Sequence, residues 1–192
     1  MQVVKLGGSL HANARLRDWL HAIARRGRIA IVPGGGAFAD AARAAQAHWQ
    51  VDDVAAHNMA VLGMAQSAQL MKALCPALDC GADVAAVRAA LDKGRSAIWM
   101  PLDLLRTAPD AITNWDTTSD TLALHLADAL PATDVLLVKS CAIPPNADFA
   151  ALAAVGIVDR QFPRAATATP ARVRLCMADA VDQLSHMVGA HS

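Results

Sequence analysis

Val3-Val4-Lys5-Leu6-Gly7-Gly8-Ser9 combines an apolar run with two consecutive glycines. The run predicts a short buried strand over residues 2–6, and the glycines predict a turn whose backbone N–H groups can face an anion. Lys5 adds a compact positive charge at the end of the strand, which suits a phosphate group. The stretch is not a Walker A loop, because there the lysine follows the glycines. We interpret it as a strand that ends at an anion-binding turn.

A second glycine cluster, Pro33-Gly34-Gly35-Gly36, lies between a predicted strand at 28–32 and a predicted helix at 37–48. Free N–H groups and the helix dipole would point at the same place. Gly34, Gly36 and Ala39 also match the dinucleotide fingerprint. That fingerprint needs an acidic residue at the end of a second strand, whereas Asp52 and Asp53 open a predicted helix. A tight turn without a ligand is the remaining interpretation.

The third motif is Asn114-Trp115-Asp116-Thr117-Thr118-Ser119-Asp120-Thr121-Leu122-Ala123. It places the carboxylate of Asp120 in the first turn of a predicted helix. A carboxylate there can hold Lys5 in position or orient a hydrated Mg²⁺. Helix capping without a chemical role is the alternative interpretation.

Predicted strands alternate with predicted helices along the chain. The strands are predicted at 2–6, 28–32, 97–100, 134–139 and 173–176, and the helices at 13–26, 37–48, 52–74, 84–91, 117–129, 148–154, 159–166 and 178–188. This order predicts a three-layer α/β/α sandwich with a mostly parallel central sheet, because parallel strands need helical connections on both faces. We expect one domain over residues 1–192.

Composition argues against several classes of function. The chain has 17 basic and 17 acidic residues, all the latter aspartates, and no basic tract, which argues against a nucleic-acid partner. It has no apolar run of about 18 residues and no secretory signal, so we expect no membrane span and a cytoplasmic location. The four cysteines are scattered, which indicates reduced thiols rather than a metal cluster.

The three motifs, in this order, resemble those of the amino-acid kinase superfamily over residues 1–140. The resemblance implies an amino-acid kinase-like fold, with an acceptor-side lobe over about 1–115 and a shortened nucleotide-side lobe over about 116–192. It also implies ATP with Mg²⁺ and a small phosphorylated substrate. Within the superfamily, the chain most resembles the phosphate kinases of methanofuran and methylofuran biosynthesis.

The resemblance also assigns roles to individual residues. The catalytic residues would be Lys5, Asp120 and Arg164; the nucleotide would contact Gly7, Gly8, Ser9, Lys139 and Ser140; the acceptor would contact Gly34, Gly35, Gly36, His57 and Thr118; no residue is expected to bind a metal directly. For His57 a structural role in the helix is the alternative, and for Lys139 a position on the rim without a role.

Two departures from the superfamily pattern matter. Members often have a second catalytic lysine in the C-terminal third, but no lysine follows Lys139, and Arg160 and Arg164 could supply that charge. The segment that covers ATP is trimmed to about residues 141–172. A catalytically inactive subunit that binds a phosphorylated or oxyanion ligand is therefore the alternative function. The resemblance also implies a homodimer or higher homo-oligomer, formed through the helix at 37–48 and the start of the helix at 52–74, with Trp49 as an interface anchor or a buried core residue.

Overall fold

Strand β1 lies inside a six-stranded sheet in a computed structural model that describes residues 1–187. The strand order is β3-β4-β2-β1-β5-β6, and every neighbouring pair is parallel. The strands are β1 (Gln2–Leu6), β2 (Ile29–Pro33), β3 (Asp79–Gly81), β4 (Ala97–Trp99), β5 (Asp134–Lys139) and β6 (Arg172–Met177). An all-parallel sheet covered by helices confirms the predicted fold class.

Eight α-helices and three short 3-10 helices connect and follow these strands within the described residues. The α-helices are α1 (Arg15–Arg26), α2 (Gly36–Trp49), α3 (Asp53–Leu74), α4 (Val84–Asp92), α5 (Ser119–Ala129), α6 (Phe149–Ala154), α7 (Phe162–Ala168) and α8 (Leu184–Met187). The 3-10 helices span Gly8–Ala12, Leu102–Leu104 and Ala178–Gln183. No helix in this part of the chain is long and apolar enough to cross a membrane.

Alternate residues of the central strands point to opposite faces of the sheet, and each face has its own apolar core. Val4 and Leu6 pack with Trp19 and other residues of α1. Val3 packs on the other face, in the core that contains the buried side of α5. Lys5 lies two positions after Val3 in the strand, so its side chain points to the same face of the sheet as Val3, which is the face that α5 covers.

The β5 strand repeats this arrangement. Leu136 and Val138 belong to the α1 face, whereas Val135 and Leu137 belong to the α5 face. Lys139 lies two positions after Leu137, so its side chain also points to the face of the sheet that α5 covers. Two lysines on adjacent strands are thus brought to the same side of the sheet.

The structure differs from the sequence predictions in three places. Strand β3 was not predicted, because three residues at the sheet edge are too few to show a periodic pattern. The helix predicted at 178–188 is a 3-10 helix over Ala178–Gln183 followed by α8, and residue 188 lies outside the described residues. Trp49 is 73% exposed, so the interpretation of it as a core residue is wrong.

Candidate active site

The carboxyl ends of β1, β2 and β5 open into one cavity. The chain leaves β1 toward β2 on one side, and β5 pairs with β1 on the other, so the cavity lies where parallel α/β sheets usually bind ligands. Its volume is about 720 Å³, within the range of small-molecule sites. The cavity is lined by all the predicted site residues except Arg164: Lys5, Gly7, Gly8, Ser9, Gly34, Gly35, Gly36, His57, Thr118, Asp120, Lys139 and Ser140.

The two glycine turns are in direct backbone contact at the wall of this cavity. A Cβ atom on Gly8 would clash with the backbone N of Gly36, and one on Gly34 would clash with the backbone N of Gly8. Gly36 also has a φ of +53°, which favours glycine. The motifs after β1 and β2 therefore need glycine in order to touch each other.

Not all of the glycine N–H groups are available to an anion. The N–H of Gly7 donates to the carbonyl of Val138 at 3.2 Å, and that of Gly34 donates to Leu6 at 2.8 Å. Both continue the hydrogen bonding of the sheet. The N–H groups of Gly8, Ser9 and Gly36 lie in the first turns of the 3-10 helix and of α2, where N–H groups have no acceptor within the helix. These are the groups with the geometry for a phosphate.

Asp120 forms the floor of the cavity together with Lys5 and Lys139. Lys5 Nζ lies 2.7 Å from Asp120 Oδ1, and Lys139 Nζ donates to both carboxylate oxygens at 2.8 Å. All three side chains are buried, with residue exposures of 5% to 7%. One carboxylate shared by two ammonium groups leaves a net positive charge at a site that excludes most water.

Burial and neighbouring charge act together on these groups. Burial alone would raise the pKa of Asp120, but the positive charges of Lys5 and Lys139 outweigh it and hold that pKa below its ordinary value. Burial, and then the charge of Lys5, lower the pKa of Lys139 to about 8 against the opposing effect of Asp120. Asp120 is therefore ionised at neutral pH, and Lys139 gives up its proton in the mildly alkaline range.

The contacts of Asp120 bear on the two roles predicted for its carboxylate. Both oxygens contact lysine nitrogens, which matches the role of holding Lys5. Among residues 1–187 no group of three or more His, Cys, Asp or Glu side chains could hold a metal ion. Asp120, with both oxygens in contact with lysines, therefore does not build a magnesium site of its own within the described residues.

Four other predicted residues in the cavity have specific partners. Ser9 and Ser140 place their hydroxyl oxygens 2.5 Å apart, which joins the turn after β1 to the end of β5. His57 Nε2 is 2.9 Å from the carbonyl of Leu104, so this ring nitrogen contacts the 3-10 helix that follows β4. The hydroxyl of Thr118 donates to Asp159 at 2.9 Å.

The prediction of a catalytic role for Arg164 finds no support in the geometry. Arg164 is exposed and does not line the cavity. Phe162, two positions earlier on α7, is buried in the core, and helix positions two apart point in nearly opposite directions. Arg160 is also directed elsewhere, with its guanidinium 3.4 Å from Asp116. The second cation at the floor of the cavity is instead Lys139.

Among the lining residues that sequence analysis did not predict, Arg43, Trp115 and His11 have specific side-chain contacts. The guanidinium of Arg43 stacks over the ring of Trp115 at 4.3 Å, and Trp115 Nε1 donates to Gln46 at 2.6 Å. His11 packs against Gly36, and burial lowers the pKa of its imidazole. The position of Arg43, two turns after the glycine cluster on the same helix, is the one sequence signal that could have indicated its proximity.

Comparison with known proteins assigns the family. Residues 1–142 match the model of the amino acid kinase family. The chain belongs to this family. Among the curated amino acid kinases it is 28% identical, over 142 residues, to the Methanocaldococcus jannaschii protein named "[5-(aminomethyl)furan-3-yl]methyl phosphate kinase". That match covers 71% of this chain but only 64% of the length of the relative.

Solved structures of amino acid kinases have the same fold. Uridylate kinase from Archaeoglobus fulgidus superimposes with a TM-score of 0.69 at 15% identity, covering 95% of this chain and 96% of that one. UMP kinase from Bacillus anthracis gives 0.68 at 14% identity, with coverages of 93% and 87%. Aspartate kinase from Synechocystis gives 0.64 at 14% identity, covering 92% of this chain and 37% of that one. At these identities the likeness shows the fold alone.

Proposed function

We propose that this protein is a small-molecule kinase that transfers the γ-phosphoryl group of MgATP to a phosphomonoester. The observation that carries the proposal is the cluster of Lys5, Asp120 and Lys139 at the floor of a cavity walled by two glycine turns. The name of the Methanocaldococcus jannaschii relative supports an acceptor of the aminomethylfuranmethyl phosphate type.

The charge at the floor of the cavity suits phosphoryl transfer. The bond from the γ-phosphorus to the oxygen that it shares with the β-phosphate breaks, and an oxygen of the acceptor phosphate forms the new bond, giving ADP and a diphosphate. Catalysis of this step consists mainly of holding two anions in line and neutralising them. In our proposal Lys5 and Lys139 approach the transferred group, and Asp120 keeps both ammonium groups in place.

The two glycine turns would hold the reacting anions. The N–H groups of Gly8 and Ser9 would bind the transferred phosphate, and that of Gly36 would bind the acceptor phosphate. Since the turns touch each other, these phosphates would lie side by side. A phosphate monoester has its second pKa near 6, so it is ionised at neutral pH and needs no strong base.

The experiment is a measurement of ADP release from MgATP with a panel of phosphomonoesters that includes an aminomethylfuranmethyl phosphate. Lys5→Ala should lower kcat by about 10²–10³-fold, as expected for the loss of one preorganised charge. Lys93→Ala is the matched control, because Lys93 is exposed at the end of α4. Turnover that Lys5→Ala leaves unchanged would contradict the mechanism. Ligand binding without turnover for any acceptor would favour the inactive binding subunit.

A further inference from the structure

Asp159 is a second buried carboxylate near the cavity, and the mechanism above does not use it. It lies between α6 and α7 and is 9% exposed. Its Oδ2 accepts hydrogen bonds from Thr118 N at 2.8 Å, Thr118 Oγ1 at 2.9 Å and Thr121 N at 3.0 Å. Its Oδ1 accepts from Thr121 Oγ1 at 2.6 Å and from Phe162 N at 2.9 Å. Five donors thus converge on one carboxylate.

The aspartates at the N-caps of α3, α4 and α6 accept fewer hydrogen bonds than Asp159. Asp52, Asp83 and Asp148 each accept one hydrogen bond, at 2.7 Å, from the backbone N–H three residues later. Asp159 makes the same local contact to Phe162 at the start of α7. Its other four hydrogen bonds cross to the start of α5, about forty residues earlier in the chain. Asp159 therefore ties together the first turns of two helices.

The residues that Asp159 holds lie on both sides of Asp120 in the sequence. Thr118 is the N-cap of α5, and Thr121 follows Asp120 directly. With the N–H groups of both fixed, the backbone at Asp120 has little freedom to rotate or shift. A second link supports the same junction, since the N–H of Gln161 donates to the carbonyl of Asp116 at 3.0 Å.

We propose that Asp159 is a positioning residue, which holds the first turn of α5 so that Asp120 stays in contact with both Lys5 and Lys139. Its kinetic consequence rests on the proposed function, whereas its effect on the two lysines does not. The segment around Asp159 belongs to the part of the chain that sequence analysis interpreted as trimmed. In this proposal that segment holds Thr118 and Thr121, and through them Asp120 at the floor of the cavity.

Asp159→Asn tests the idea with little change in volume. An asparagine has one accepting oxygen and an NH₂ group that cannot accept from the N–H donors, so several of the five hydrogen bonds are lost. Asp148→Asn is the matched control, because Asp148 is an exposed N-cap that makes a single local hydrogen bond. Thr121→Val and Thr121→Ser form a second pair, which removes or keeps one hydroxyl donor to Asp159.

The first measurement is a titration of the lysine side chains by NMR after labelling at ¹³Cε. The chain has four lysines, so Lys72 and Lys93 serve as internal references. The ammonium of Lys139 faces Asp120, Lys5 and Cys141. If Asp120 moves away, Lys139 keeps the repulsion of Lys5 and loses an opposing carboxylate, so its midpoint should fall below about 8 in Asp159→Asn. Asp148→Asn should leave it unchanged.

The second measurement is kinetic. Asp159→Asn should lower kcat by about 10²-fold while the KM for MgATP is unchanged, because a small misplacement of catalytic groups has an effect of that size. Thr121→Val should shift both readouts in the same direction, and Thr121→Ser should restore them. A Lys139 midpoint that stays at its wild-type value in folded Asp159→Asn, or in Thr121→Val if the first variant does not fold, would overturn the inference. Absence of turnover in the wild-type protein would overturn only the proposed function.

Discussion

Lys139 has an ammonium group whose charge changes within the range of ordinary assays. Its pKa is lowered to about 8 by burial and by Lys5, so the group is charged below that pH and neutral above it. If its charge is needed for transfer, kcat/KM should fall about tenfold per pH unit on the alkaline side, because kcat/KM reports the ionisation of the unliganded enzyme. A pH profile of kcat/KM for MgATP at subsaturating acceptor measures this. Lys139→Arg should remove the alkaline fall, because arginine stays charged.

The profile has a clear alternative outcome. A kcat/KM that stays constant from about pH 7 to about pH 10, in a protein that remains folded, would mean that the charge of Lys139 is not required. Lys5 would then be the single lysine in the proposed mechanism.

Asp120 should also stabilise the folded protein. Asp120→Asn leaves two buried ammonium groups without their carboxylate, so we expect the free energy of unfolding to fall by about 3–5 kcal/mol at neutral pH. Because the folded pKa of Asp120 is below its unfolded value, this contribution is present above about pH 4 and is lost as the pH falls through the folded pKa. Urea unfolding at neutral and acid pH measures the difference.

The exposed Asp92 provides the control for this stability measurement. Asp92→Asn should change the free energy of unfolding little at either pH. An Asp120→Asn effect that is equally large at acid and neutral pH would contradict an origin in the ionised carboxylate.

At this scale the sequence identified Lys5 and Asp120, because each stands in a motif at the end of a predicted element. It also placed Lys139 at the end of a strand, where the alternation of side chains directs it toward α5. It could not show that Lys139 reaches Asp120 beside Lys5, because that depends on β5 lying next to β1. The role predicted for Arg164 rests on its charge alone, and the structure places this residue on the exposed side of α7, outside the residues that line the cavity.

At the scale of elements, the contact between the two glycine turns should be needed for activity. Gly8→Ala would force the first turn of the 3-10 helix away from Gly36, with a stability cost of about 1–3 kcal/mol. Acceptor-dependent ADP release should be lost, because the phosphate-binding N–H groups of both turns move apart. Activity and urea unfolding measured on the same samples test this.

Gly94→Ala is a control with a similar cost in stability. Gly94 has a φ of +81°, so alanine there is strained by about 1–2 kcal/mol, and it lies outside the residues that line the cavity. Loss of activity in both variants would indicate that lowered stability, rather than separation of the turns, is the cause.

The helices were predicted from the sequence more readily than the strands. The apolar period of α1 and the capping aspartate of α3 are local signals, and both helices lie close to their predicted positions. Strand β3 has no such signal, because Asp79 and Cys80 become part of the sheet only through pairing with β4.

At the scale of the whole molecule, the exposed side chain of Trp49 leads to a prediction about assembly. A tryptophan that is 73% exposed at the end of α2 suits an interface between two copies of the chain. We expect a homodimer or higher homo-oligomer by light scattering, and Trp49→Ala should reduce the measured mass. A wild-type protein that stays monomeric at high concentration would contradict the predicted assembly.

The order of the strands in the sheet could not be predicted from the sequence. Alternating strands and helices predict a parallel sheet, but local periodicity does not say which strands are neighbours. The pairing of β1 with β5 decides that Lys5 and Lys139 meet at Asp120. This pairing joins parts of the chain that are far apart in sequence.

The same pairing has a consequence for how the protein folds during synthesis. The edge of β1 that pairs with β5 cannot be covered until the ribosome has made Asp134–Lys139, long after β1 itself has emerged. Contacts between such distant segments slow folding and leave a strand edge exposed to other chains in the meantime. The two lysines come together at that same late step, so the cluster of Lys5, Asp120 and Lys139 forms in the nascent chain only when β5 pairs with β1.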